Sequence, residues 1–256
     1  MNTKEKIIQA LEEAKGKYVS GESLADDFGL SRNAVWKAIN DLKKTGYNIE
    51  SVRNRGYMLH ESSDIISKAG IALCLHKMIS DSMANGMLDK LCVYENLDST
   101  NTQAKRELVV GNFDISDKTV IVAKTQSSGR GHGGTDFDSP DGGIYLSIIL
   151  DPQMLHVTAP ITETVAGVVK SVIEELYGIK CDRKADNSLY VGKDKICGIL
   201  TEAVSDLETG VYSSFIVGIG IRSDILCGAS NLRPSKNLVI ATLIAEFSKM
   251  STTNAL

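Results

Sequence analysis

The chain has no disulfide framework. Its five cysteines, Cys74, Cys92, Cys181, Cys197 and Cys227, are odd in number, widely spaced and contain no Cys-x-x-Cys pair, which speaks against a stapled secreted scaffold and against a zinc site. They read as small buried hydrophobes of a reduced compartment. No apolar run approaches the roughly 18 residues that a membrane span requires. The N-terminus, Met-Asn-Thr-Lys-Glu-Lys, has no apolar signal core behind it. A cytoplasmic protein with no membrane partner is expected. His60, His76 and His156 have no partners in sequence, so no protein-ligated metal is expected.

What is present is ordinary in bulk and uneven in distribution. The chain is 43% apolar and 23% charged, the balance of a folded globular protein, and 256 residues suffice for a small domain plus a larger one. The net charge is −4, but residues 1–60 carry ten Lys+Arg against eight Asp+Glu and the rest carries 18 against 24. A mildly basic segment joined to an acidic body points to a separate binding module.

Within that segment, Ile7, Ile8 and Leu11 mark one face of a helix over Lys4 to Glu13. A short helix follows from Gly21 to Phe28, and Ser31 is placed to cap a third from Arg32 to Lys44. The pattern then switches to a strand with Tyr47, Ile49 and Val52, a polar Arg53-Asn54-Arg55-Gly56 turn and a returning Tyr57-Met58-Leu59. This resembles the winged helix-turn-helix of bacterial transcriptional regulators. Such a third helix offers Ser31, Arg32, Asn33, Trp36 and Lys37 to a DNA major groove, with Arg53 and Arg55 free for backbone or minor groove. A winged helix can also bind proteins, and that reading stands beside the first. With so small a net charge, DNA affinity is expected to need dimerisation, which doubles the phosphate contacts.

Residues 63–90 read as a helical connection with no turn cluster before Asn85-Gly86. Beyond them lies an alternation of strands and helices suited to a mixed sheet with helices on one face. Thr119 to Lys124 and Ile144 to Leu150 read as strands, and between them Gly129-Arg130-Gly131-His132-Gly133-Gly134 reads as a loop able to wrap an anion with backbone N–H groups and a guanidinium. An ordinary flexible hairpin connection is the rival reading. No Gly-Lys-Ser/Thr triplet follows, so this is neither a P-loop nor a dinucleotide fingerprint. Three other segments join it: Asp98-Ser99-Thr100-Asn101 at a strand-to-helix junction, Lys195-Ile196-Cys197-Gly198-Ile199-Leu200, and Val217-Gly218-Ile219-Gly220-Ile221, whose glycines let another backbone pass closely.

This ordered set, with Ser-Pro-x-Gly-Gly-x-Tyr-Leu-Ser and Asn-x-Leu-Tyr between its members, resembles the biotin protein ligases. With the winged helix ahead of it, the resemblance is to their bifunctional ligase and biotin-operon repressor subclass. It implies an α+β fold: a winged helix-turn-helix over residues 1–62, a helical connection over 63–90 and a mixed-sheet, biotin/lipoate-ligase-like catalytic domain over 91–256. It implies condensation of biotin with ATP and Mg2+ to biotinyl-5′-adenylate, transfer to a lysine of a carboxylase's carrier domain, and ligand-favoured homodimerisation on operator DNA. Ser99, Thr100, Asn101, Gln126, Gly129, Arg130, Gly131, His132 and Lys195 would bind biotin, with Arg130 and Lys195 also catalytic. Asn187 and Gly198 would lie near the nucleotide. Ser99 as a mere helix cap and Lys195 as a solvated hairpin residue are the competing readings.

The chain departs from the family's pattern in places. His132, Gly133 and Thr135 stand where later loop arginines are usual, and Phe137 stands for tryptophan. Lys184-Ala185-Asp186-Asn187-Ser188 replaces Lys-Trp-Pro-Asn-Asp, Arg222 stands for asparagine, and the small C-terminal β-barrel is expected to be absent. Weaker adenylate retention follows from the lost charges. The alternatives are a biotin-sensing regulator with impaired chemistry, or a ligase for lipoate or octanoate.

Overall fold

The computed structural model describes residues 2–110, 119–152, 160–205 and 212–250; His156 and the chain's last residues lie outside them. The chain divides into two compact units, one up to residue 74 and one from residue 75 onward.

The first unit contains helices α1 (Thr3–Glu13), α2 (Gly21–Phe28) and α3 (Arg32–Lys44), then an antiparallel hairpin of β1 (Ile49–Val52) and β2 (Gly56–Leu59). Each helix starts on a side chain that satisfies an orphan amide. Asn2 and Glu5 form a reciprocal capping box, and Ser20 and Ser31 accept the N–H groups of Ser23 and Ala34. The apolar faces of the three helices close on one core, in which Ile7, Leu11, Leu24, Val35 and Ile39 meet Ile49 and Leu59 of the hairpin. Ile65 and Ala69 also pack against this core. Asn54 takes φ 64° at the hairpin tip and Gly56 takes φ 103°. A Cβ at Gly56 would collide with the carbonyl of Val19, whose bridge to Tyr57 ties the hairpin down.

The connection over 63–90 is less helical than its composition predicts. It contains α4 (Lys68–Leu75) and α5 (Asp81–Asp89), with a turn between them where His76 Nδ1 lies 2.8 Å from Asp81 Oδ1. Asn85-Gly86 sits inside α5 and makes no turn.

The second unit is built on a seven-stranded mixed sheet in the order β3-β4-β5-β9-β8-β7-β6. The strands are β3 (Leu91–Leu97), β4 (Val120–Gln126), β5 (Ile144–Leu150), β6 (Asp182–Arg183), β7 (Leu189–Val191), β8 (Asp194–Ser205) and β9 (Tyr212–Ile221). The β3–β4 pair, joined through α6 (Thr100–Val110), is parallel and the other pairs are antiparallel. The helices α7 (Ile161–Tyr177), α8 (Ser223–Ala229) and α9 (Lys236–Lys249) complete the unit.

Helices cover both faces, which corrects the expectation of one. Every residue of β5 is buried, and because successive side chains point to opposite faces, a strand buried at every position needs cover on both sides. On one face α6 brings Ala104 against Ile121, Ile149 and Ile216. Residues of the other parity, such as Leu146, Ile148, Val217 and Ile219, are equally buried and are left to α7, which packs on β8 and against α9.

Candidate active site

The sheet face under α6 is not covered along its whole length. Beyond the N-terminus of α6 the inward residues shrink to Gly218 and Gly220 on β9 and Gly198 on β8, with Gly198 paired to Gly220 and Gly218 paired to Ser147 of β5. This leaves a floor of glycine backbone with Leu200 beside it. A pocket opens there, walled by Ser99, Thr100, Asn101 and Gln126, roofed by Arg130, Gly131, His132 and Phe137, and edged by Asp186, Ser188 and Lys195.

The wall is one hydrogen-bonded network. Ser99, Thr100 and Asn101 are buried where β3 turns into α6. Ser99 does not cap the helix through its hydroxyl; its N–H is taken by Asp98 Oδ1 at 2.8 Å, while Arg106 grips the same carboxylate at 3.0 and 2.5 Å. Hydrogen bonding from Arg106 holds the Asp98 carboxyl below its usual range. The first amide of α6, Thr100 N–H, donates instead to Gln126 Oε1 at 2.7 Å, across 26 residues of chain. Gln126 Nε2 then donates to Ser139 Oγ at 2.8 Å, and Ser139 donates to the carbonyl of Phe137. Ser147 Oγ lies 2.7 Å from Thr100 Oγ1 and 2.6 Å from Asn101 Oδ1. Asn101 Nδ2 donates to Glu202 Oε2 at 2.9 Å, and Lys105 Nζ donates to Glu202 Oε1 at 2.7 Å. Polar groups this buried are costly unless paired, and here they are paired in sequence.

The glycines of the sheet admit side chains, where the sequence pattern led us to expect a neighbouring backbone. A Cβ on Gly198 would stand 2.6 Å from Phe137 Cε2, and one on Gly220 would stand 2.6 Å from Phe137 Cζ, so the ring is seated across both. A Cβ on Gly218 would stand 2.9 Å from Asn101 Cγ. Phe137 also meets Tyr145 edge to face, with centroids 6.4 Å apart. Tyr145 donates to the carbonyl of Pro140 at 2.8 Å, and burial pushes its phenol up to about 12.

The glycine loop between β4 and β5 is folded on itself. His132–Gly134 forms a 3₁₀ turn, Gly131 N–H donates to the carbonyl of Thr135 at 2.7 Å, and Phe137 N–H donates to that of Gly129 at 2.9 Å. Arg130 is exposed, and no described residue pairs with its guanidinium. Gly129 does not line the pocket. Its lack of a Cβ is explained by the Phe137 carbonyl, with which one would collide, and by Ser139 Oγ, which would lie 2.7 Å away.

At the pocket edge, Lys195 Nζ lies 3.9 Å from Asp186 Oδ2. The Asp186 carboxylate is itself held by Ser188 N–H at 3.1 Å and Ser188 Oγ at 2.8 Å. Asn187 takes a left-handed φ of 61° in the turn between β6 and β7 and points its neighbours, not itself, at the pocket. Asp186 and Ser188 were therefore missed as lining residues, although the left-handed tolerance of asparagine marks such a turn. Arg222 pairs with Asp224 at 3.0 and 3.2 Å and does not line the pocket.

In the first unit, the seven residues read as a DNA face, Ser31, Arg32, Asn33, Trp36, Lys37, Arg53 and Arg55, are all exposed, Trp36 by 57%. Arg32 reaches Glu22 at 2.5 Å and Arg55 lies over the Tyr18 ring at 4.1 Å.

A model of the HTH domain matches residues 3–58, and one of the biotin/lipoate A/B protein ligase family matches residues 93–221. The chain is 32% identical over 217 residues to the bifunctional ligase/repressor BirA of Bacillus subtilis (strain 168), covering 84% of this chain and 63% of that protein. It is 30% identical over 218 residues to the bifunctional ligase/repressor BirA of Escherichia coli (strain K12), covering 84% and 62%. The chain thus spans somewhat under two thirds of the length of these curated relatives. Among solved structures, the biotin protein ligase from Aquifex aeolicus in complex with biotin and ATP superimposes with a TM-score of 0.51 at 25% identity, covering 63% of this chain and 69% of that one. The biotin acetyl coenzyme A carboxylase synthetase from Helicobacter pylori with bound biotinylated ATP gives 0.51 at 25% identity, covering 62% and 73%. With an HTH domain ahead of a ligase core that matches over residues 93–221, the chain belongs to the biotin/lipoate A/B protein ligase family.

Proposed function

We propose that this protein is a biotin protein ligase that also acts as a biotin-dependent repressor. The observation that carries the reading is the wall of Ser99, Thr100, Asn101 and Gln126 standing beside a glycine floor with Lys195 at its edge. A fixed polar wall over an apolar floor suits a flat ring with its own donors and acceptors.

In the proposed reaction a biotin carboxylate oxygen attacks the α-phosphorus of ATP and pyrophosphate leaves. A carrier lysine amine then attacks the acyl carbon and AMP leaves. Arg130 and Lys195 stabilise charge on the phosphoryl oxygens, work that positioned donors perform best. Gly131 and His132 close over the ligand, and Gly198 seats the Phe137 ring beside it. Gly129 supports the loop, while Asn187 shapes the turn that presents Asp186 toward the nucleotide. Magnesium binds through one or two carboxylates together with substrate phosphates, and Asp186, the one carboxylate among the pocket-lining residues, suits that role.

The first 62 residues form the DNA-binding module, bound as a dimer to an operator, with residues from 91 onward as the ligase module. The implied substrates and partners, ATP, a carboxylase carrier domain and operator DNA, place the protein in the cytoplasm. A second reading has a specific observation behind it. His132, Gly133 and Thr135 bring no fixed positive charge to the loop, and the N–H of Gly131 is spent on Thr135. A biotin-sensing regulator without the chemistry would look the same. Incubation with biotin, ATP and a carrier domain separates the two. Pyrophosphate release with biotin on the carrier is expected, whereas biotin binding without pyrophosphate supports the sensor.

A further inference from the structure

We infer that Glu202, on β8 and away from the pocket lining, sets the direction of the Asn101 amide in the ligand wall and with it selectivity for a cyclic urea over an acyl chain that lacks one; this rests on the proposed biotin reading. The residue acts through Asn101, so it is a positioning residue.

The reasoning starts from donor and acceptor inventories. An asparagine amide can face a site with either its oxygen or its nitrogen, and a serine hydroxyl satisfies both. Ser147, 2.6 Å from Asn101 Oδ1, therefore leaves the amide free to turn over. A carboxylate only accepts. With Glu202 Oε2 at 2.9 Å, Asn101 must present Nδ2 toward β8 and Oδ1 toward Ser147.

Ser147 donates to Asn101 Oδ1 and also lies 2.7 Å from the Thr100 hydroxyl, which donates to Gln126 Oε1 at 3.2 Å. Gln126 Oε1 accepts from Thr100 N–H as well, which turns Gln126 Nε2 toward Ser139. Asn101 and Gln126 are each left with one N–H unspent, two donors bordering the same pocket. A ligand with a carbonyl oxygen satisfies them. One that offers only methylene or sulfur leaves buried donors unpaired, which is how polar sites reject analogues.

Lys105 Nζ holds the other oxygen of Glu202 at 2.7 Å, and Gly218 beneath Asn101 leaves room for the amide. Glu202 itself is about one third exposed, so its replacement leaves no buried charge behind.

The test is calorimetric titration of the whole protein and of Glu202→Ala with biotin, with lipoate and with a ureido-lacking thiophane valerate, alongside thermal unfolding. Glu202→Ala is expected to bind biotin about ten- to a hundredfold more weakly, to bind the ureido-lacking analogues unchanged, and so to lose most of its selectivity. Glu202→Gln, whose amide can donate as well as accept, no longer fixes the direction of Asn101 and should lose part of that selectivity while keeping the fold. Unchanged biotin affinity in Glu202→Ala overturns the inference while leaving the biotin reading intact, as does an equal loss for all three ligands. If Glu202→Ala does not fold, the same comparison on Glu202→Gln decides: a loss of selectivity is expected, and unchanged selectivity overturns the inference. If the unsubstituted protein binds no biotin, it is the functional reading that fails.

Discussion

Gly218→Ala should damage the candidate site more than its size implies. The residue has no left-handed φ, so alanine is sterically acceptable to the backbone and the whole effect falls on the neighbour. The new methyl would lie 2.9 Å from Asn101 Cγ and 3.0 Å from Asn101 Nδ2, and closer still to Oδ1. Ordinary carbon contacts begin near 3.5 Å, so the amide must move by roughly half an ångström to one ångström. It cannot do so freely, being held at 2.9 Å by Glu202 and 2.6 Å by Ser147. Overpacking of this kind costs about 1–3 kcal/mol of stability. Displacement of a positioning group by about 1 Å can cost a hundredfold in activity. Urea unfolding and calorimetric titration with biotin measure the two effects separately. A Gly218→Ala protein with biotin affinity within twofold of the original, and an unchanged unfolding midpoint, would refute the claim that Asn101 is locked over this glycine.

Gly167→Ala supplies the opposite control: it lies within α7 with nothing within 4 Å of its added methyl, so thermal unfolding should show stabilisation by about 0.5–1 kcal/mol. Ser31→Ala removes the hydroxyl that accepts from Ala34 N–H at 3.1 Å and should destabilise the first unit by about 1 kcal/mol, visible in its unfolding by denaturant. Burial raises the folded-state pKa of Tyr145 from 10.0 to about 12. The neutral phenol is therefore favoured in the folded state, and its contribution is fully present below pH 10 and lost as pH rises from 10 toward 12. Tyr145→Phe should flatten that alkaline fall in a pH series of unfolding midpoints; an unaltered fall would assign it to other groups.

Much of the fold was legible because it depends on short-range rules. The boundaries of α2 and α3 follow from 3.6-residue apolar spacing with a capping serine, and for α2 a closing glycine, all within one turn of chain. Arg32, Asn33, Trp36 and Lys37 are exposed because the same spacing turns the opposite side of α3 into the core, and Arg53 and Arg55 because they sit at the hairpin turn. Where the rules are weak, the reading failed. Asn85-Gly86 was absorbed into α5, and α8 and α9 were not anticipated.

The sequence alone determined which residue types would meet at the site: a hydroxyl-rich helix start, an arginine-bearing glycine loop, a strand-opening lysine and two glycine-spaced strands. Only the tertiary structure decided how they meet. Gln126 caps α6 from 26 residues away, Glu202 orients Asn101 from 101 residues away, and Phe137 rests on Gly198 and Gly220 of two neighbouring strands. It also replaced Asn187 with Asp186 and Ser188 at the pocket edge. The reason is physical: helix periodicity and capping are set by interactions within a few residues. The direction of a buried amide is set by whichever acceptor the sheet register brings beside it, and register is a property of the whole assembled sheet.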